Sequence, residues 1–152
     1  MSDLTKHFEN EINIALNYID NSELKFSDPN QDCNLKHGFG KNGVYTREVT
    51  LPKGTLAVGK VHKKDHVVFL TKGKILVASK YGKEEYNAPC YAICKAGIQR
   101  VVLALEETTW VNVHYAESNN IEEIENELVC DTEKEYKQWL LLSQEQLPQS
   151  EQ

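Results

Sequence analysis

The stretch GTLAVGKVHKKDHVVFLTKG, residues 54–73, decides how the chain is read. It carries His62 and His66, two of the five histidines, four positions apart. Thr55–Val61 ahead of them and Val67–Thr71 behind them have the β-branched, apolar composition of strands. Lys63-Lys64-Asp65 between them is a polar turn. Side chains alternate between faces along a strand, so Lys60 and His62 share one face. His66 rejoins that face across the turn, followed by Val68 and Leu70. The opposite alternation, Val61, Val67 and Phe69, is equally apolar, as in a strand buried on both sides. Two imidazoles on a tight hairpin therefore converge on one point inside a sheet or barrel.

Outward from this hairpin the chain continues in the same style. Asn42-Gly43, Pro52-Lys53-Gly54, Lys72-Gly73, Tyr81-Gly82, Lys95-Ala96-Gly97 and Glu106-Glu107 read as turns. Between them lie strand-like segments at 44–51, 55–62, 66–71, 74–80, 85–94, 98–105 and 108–115. Pro89 makes the middle of 85–94 an edge or a bulge. Roughly seven short strands at a spacing of about 8–12 residues predict a closed antiparallel barrel or sandwich. The ends are helical by pattern. Residues 2–19 place Phe8, Ile12, Ala15, Leu16 and Ile19 on one helical face. Residues 20–43, rich in Asn, Asp, Ser and Gly, read as loop. After the barrel, residues 119–147 read as two helices. The first starts at Asn119 or Asn120 and carries Ile121, Ile124 and Leu128. The second opens on a capping box of Thr132 and Glu135, carries Tyr136, Trp139, Leu140 and Leu147, and stops at Pro148.

At 152 residues the chain is expected to form one domain. No apolar run approaches the ~20 residues of a membrane span. The polar start MSDLTKHFEN is unlike a secretory signal, so a cytoplasmic protein is expected. Cys33, Cys90, Cys94 and Cys130 lack zinc or CxxC spacing, and reduced, buried thiols are expected. The net charge of -6 is unevenly spread. Residues 36–116 hold thirteen basic and six acidic side chains, and residues 117–152 hold two basic and ten acidic ones. The lysines of the basic body are scattered through turns with no arginine stripe, which argues against a nucleic-acid polymer and for a small anion as partner.

The spacing around the histidines resembles the first motif of the cupin superfamily: Gly54, five residues, Lys60, one residue, His62, three residues, His66, six residues, Gly73. A second motif is similar in its intervals: Pro89, five residues, Lys95, one residue, Gly97, two residues, Arg100, three residues, Ala104. The resemblance covers roughly residues 44–116. It implies a cupin-type antiparallel β-barrel, or jelly roll, flanked here by an N-terminal helix and two C-terminal ones. The runs LPKGT and AGIQRVVLALEETTWVNVH also resemble small cupin-like proteins encoded by tailed bacteriophages.

Where a metal-binding cupin offers two histidines and a glutamate from motif one and a histidine from motif two, this chain has Lys60, His62, His66 and Arg100. Two of these positions are cationic, so no complete metal set is present. His114 supplies a third imidazole if it faces inward, and a divalent metal ion would then be held by His62, His66 and His114. Without a metal, Lys60, His62, His66 and Arg100 make a positive interior for an anionic small molecule, with Arg100 gripping it through its fork and Trp110, Tyr45 or His114 beside it. Two function classes stay open. One is a binding protein, expected to be a homodimer, that holds an anion such as a nucleotide-like host immune signal, a role the bacteriophage resemblance implies, in the host cytoplasm. The other is an enzyme in the same site. It either uses His62 and His66 as an acid–base pair on a cyclic nucleotide or depends on a metal as an isomerase, lyase or oxygenase.

Overall fold

A computed structural model describes residues 34–145, together with Lys6, His7 and Asn10. The helix expected over residues 2–19 otherwise lies outside the described residues, as do Cys33, Leu147 and Pro148. The described chain is mainly antiparallel β. Eleven strands run as β1 Lys36–Phe39, β2 Val44–Leu51, β3 Leu56–Val58, β4 Val61–His62, β5 His66–Lys72, β6 Lys74–Ser79, β7 Gly82–Asn87, β8 Cys90–Cys94, β9 Val101–Ala104, β10 Thr108–Tyr115 and β11 Val129–Cys130. Helix α1 spans Ile121–Leu128 and helix α2 spans Glu133–Glu145. One sheet has the order β1-β2-β10-β5-β8, the other β3-β9-β6-β7, and β11 pairs with β4 as a short ribbon. The result is a jelly roll with both helices after the last long strand.

Register decides which side chains face inward. β10 pairs with β2 so that His114 stands opposite Tyr45, Asn112 opposite Arg47, Trp110 opposite Val49 and Thr108 opposite Leu51. Tyr45, Leu51, Thr108 and His114 are all buried, so this alternate set is the inner face. On the next strands, Val68 is opposite Asn112 and Leu70 opposite Trp110, while His66 is opposite Cys94 and Leu70 opposite Cys90. Cys90 and Cys94 therefore share the inner face and are free thiols, as is Cys130. On the opposite face of the same strands Phe69, Tyr91, Ile93 and Tyr115 are exposed.

Three sequence expectations are revised. The segment 55–62 is two strands in different sheets, because Gly59 N–H donates to the Arg100 carbonyl at 2.8 Å and the chain turns away after Val58. The segment 85–94 is also two strands, β7 and β8, each the edge of its own sheet, with the chain crossing between sheets at Pro89. Proline has no N–H for a ladder, so the crossing falls there. Residues 36–39, read as loop, form strand β1 against β2. Their polar, glycine-containing sequence has no alternation to betray a strand, and only the long partner supplies the pairing.

The C-terminal segment closes one end of the barrel. Ile124 and Leu128 of α1 pack with Tyr45 and Ala116 in a buried cluster joined by Val129. Asn120 caps α1, its Oδ1 accepting from Glu123 N–H at 3.1 Å. Thr132 Oγ1 accepts from Glu135 N–H at 3.2 Å at the start of α2, while the Glu135 carboxylate returns to Asp131 N–H at 3.0 Å. Among the described residues no helix is long and apolar enough to cross a membrane.

Candidate metal centre in the barrel

His62 ends the short strand β4, His66 begins β5, and His114 lies near the end of β10. The turn between the first two and the β10–β5 pairing bring all three imidazoles together. Ring centroids are 4.1 Å apart for His62–His66, 4.2 Å for His66–His114 and 5.1 Å for His62–His114. One nitrogen from each ring lies within 4.8 Å of the others. His66 and His114 are only 6% and 8% exposed. This is the one group of three potential metal ligands among the described residues.

The electrostatics of the cluster follow from burial. Loss of hydration pushes His62 down to about 2, and the neighbouring His66, His114, Arg100 and Arg47 push in the same direction. Burial lowers His114 to about 3, aided by His66, Arg47 and Lys64. His66 is lowered by burial too, opposed by Asn112 and the Lys64 backbone. At neutral pH the imidazoles of His62 and His114 are therefore uncharged, the form that offers a lone pair to a metal. The interior is less positive than its residue types suggest.

One polar neighbour orients the His66 ring. His66 Nε2 lies 3.0 Å from Asn112 Oδ1. An amide oxygen only accepts, so Nε2 donates to it. Nδ1 of His62 is buried and has no hydrogen-bond partner among the described residues, and Nδ1 of His66 is buried with no bond of good geometry, the Lys64 backbone acting on that ring as a hydrogen-bond acceptor. A buried polar atom left without a partner costs about 1–3 kcal/mol. A metal ion bound by the three imidazoles would take one lone pair from each ring, and imidazole suits zinc, iron, nickel and copper. The residues present thus fit a divalent metal.

The other sequence candidates fall in different places. Lys60 is 47% exposed on its side chain, 3.4 Å from Asp131 and 3.9 Å from Glu125, and so is neutralised by the C-terminal segment. Arg100 donates to the carbonyls of Ile98 and Lys95 and has no carboxylate partner among the described residues. Its bond to the Lys95 carbonyl sets the guanidinium next to Cys94, the residue opposite His66. Trp110 lies further along the inner face, partly buried opposite Val49 and Leu70. Tyr45 stacks on His114 at 6.2 Å between centroids and shares a 2.8 Å hydrogen bond with His37 Nδ1. Sequence reading passed over Asn112 and Arg47. Both lie on the inner face by strict alternation from His114 and Tyr45, and that alternation was the signal that could have found them.

No family model matches the chain, and no curated protein matches it. Among solved structures, a cupin-2 domain containing protein from Shewanella frigidimarina is similar at 13% identity, with 54% of this chain and 79% of that one covered and a TM-score of 0.46. A cupin superfamily protein from Desulfitobacterium hafniense is similar at 7% identity over 55% of this chain and 76% of that one, with a TM-score of 0.47. An acetylacetone dioxygenase from Acinetobacter johnsonii is similar at 22% identity over 53% of this chain and 56% of that one, with a TM-score of 0.42. The chain is a jelly roll of two antiparallel sheets with the imidazoles of β4, β5 and β10 meeting inside, and these cupin-domain structures are what it is similar to.

Proposed function

We propose that the barrel interior holds a divalent metal ion on His62, His66 and His114 and acts there on a small molecule. The observation that carries this reading is the convergence of three imidazole nitrogens within 4.8 Å in the barrel interior, with His66 and His114 buried. Three protein ligands leave coordination positions open, as in catalytic rather than structural sites. A metal bound there would supply Lewis acidity toward an oxygen of the bound molecule. The chain's own residues do the rest. Asn112 accepts a hydrogen bond from His66 Nε2 and so orients that ring. Tyr45, Leu51, Leu70 and Ile124 line or seal the interior and keep water out.

The test is metal content. Protein purified without chelator, or reconstituted with cobalt, zinc, nickel, manganese or ferrous iron, should hold one metal per chain. His62→Ala, His66→Ala and His114→Ala should each lower affinity by at least tenfold while the circular dichroism spectrum is retained. A wild-type protein that takes up none of these ions removes the reading.

A second reading follows from Arg100, a cation with no carboxylate partner among the described residues. In it the protein is a metal-free binding module for a small anion, a nucleotide among the candidates. Calorimetry of metal-free protein against cyclic and linear nucleotides, sugar phosphates and carboxylates distinguishes it. Heat with an anion but no uptake of metal would favour this reading.

A further inference from the structure

Two guanidinium groups lie near the imidazole cluster, Arg47 on the inner face of β2 and Arg100 in the connection before β9. Arg47 is on β2, directly opposite Asn112, the residue that holds His66. On the same face the adjacent inward pair is Tyr45 and His114. Directly opposed side chains on one sheet face have Cβ atoms about 4.5–5.5 Å apart, so Arg47 borders the imidazole cluster. Arg100 enters from the connection into β9. Its two donated hydrogen bonds go to the carbonyls of Ile98 and Lys95, just past Cys94, and Cys94 is the residue opposite His66. Carbonyls leave its charge uncancelled.

Arg47 is only loosely balanced. Its Nη1 is 3.6 Å from Glu125 Oε1, longer than the about 2.7–2.9 Å of a closed guanidinium–carboxylate hydrogen bond. The other oxygen of Glu125 is shared with Lys60 at 3.9 Å. A carboxylate from α1 thus stands beside Arg47, near enough to steady it and too far to saturate it.

We propose that Arg47 and Arg100 form an oxyanion subsite beside the three imidazoles, and that Glu125 holds Arg47 until the oxyanion of a bound ligand takes its place. The ligand is a small organic anion. Its carboxylate or phosphate meets the guanidinium forks, and a second oxygen reaches toward the imidazoles. A guanidinium fork matches both oxyanions. Glu125 sets a threshold: a neutral analogue gains nothing by displacing it, so charge as well as shape selects the ligand. The inference rests on the barrel interior being the functional site, and it adds the class of molecule and the residues that choose it.

The experiment is a titration of cobalt-loaded and of metal-free protein with malonate, with inorganic phosphate and with uncharged malonamide, followed by calorimetry and, in the cobalt form, by the d–d absorption. Malonate or phosphate should bind and malonamide should not. Binding of malonate alone identifies a carboxylate ligand, and binding of phosphate alone identifies a phosphorylated one. Arg100→Gln and Arg47→Gln should each weaken anion binding about ten- to a hundredfold, the loss of one charged hydrogen-bonded contact, with cobalt content unchanged. Arg47→Lys, which keeps the charge, guards against a variant that fails to fold and should recover part of the affinity. Glu125→Gln should tighten anion binding several-fold, an effect that a purely structural ion pair would not produce. Anion affinity that is unchanged in both arginine variants, or that falls in Glu125→Gln, overturns the proposal. Cobalt uptake without binding of either anion overturns it while leaving the metal reading intact. Anion binding without cobalt uptake upholds it and discards the metal.

Discussion

Three histidines, spread from position 62 to position 114, owe their behaviour to being crowded and dry. With His62 held at about 2 and His114 at about 3 in the folded state against 6.5 in an open chain, the unfolded state binds more protons between those values. Stability of the metal-free protein is therefore full above about pH 6.5 and falls as the pH drops toward about 3. Thermal melts from pH 8 to pH 4 should show the midpoint falling below about pH 6.5, and His114→Gln should flatten the slope. A midpoint that stays level to pH 4 would mean the rings are hydrated and ordinary. Asn112 acts at the same scale. Asn112→Ala leaves the His66 Nε2 proton buried without its acceptor and should cost about 1–3 kcal/mol in urea denaturation.

The strands and helices hold these residues through local devices that the sequence states openly. Asn120→Ala removes the side-chain acceptor at the start of α1 and should cost about 1 kcal/mol. Ile124→Ala, in the cluster that seals the barrel end, should cost about 2–5 kcal/mol. The larger loss belongs to the apolar contact because α1 is short and gains its stability from what it covers. Gly73, at the β5–β6 turn, has φ +87, and a Cβ there would run into the Glu107 carbonyl. Gly73→Ala should therefore destabilise by more than about 1 kcal/mol, read by the same denaturation. The caps at Asn120 and Thr132, the turn at Gly73 and the full extents of β2 and β10 were all legible, because each is written in neighbouring residues. The breaks within 55–62 and 85–94 were not. There one apolar run serves two sheets, and only the partner across the gap says where the chain leaves the first.

At the scale of the whole molecule, the uneven charge of the sequence is resolved internally. Acidic residues after position 117 sit on the basic barrel: Glu125 by Arg47 and Lys60, Asp131 by Lys60, Glu127 by Lys64 and Glu133 by Lys80. Such half-exposed pairs contribute about 0–1 kcal/mol each, so they orient the C-terminal segment rather than bind it. Raising sodium chloride to about 1 M should leave the unfolding free energy within roughly 1 kcal/mol of its low-salt value. A chain ending at Ser118 would uncover Tyr45 and Ala116 and should lose cooperative unfolding. Alternation, turn residues and the interval between His62 and His66 determined by themselves that this is an antiparallel barrel with imidazoles inside, since those signals act over a few residues. Tertiary structure alone decided that His114 completes the cluster, that Lys60 pairs with carboxylates of the C-terminal segment and that Arg47 takes up the inner position. Each of these depends on which strands become neighbours, and that is set by burial of the whole core.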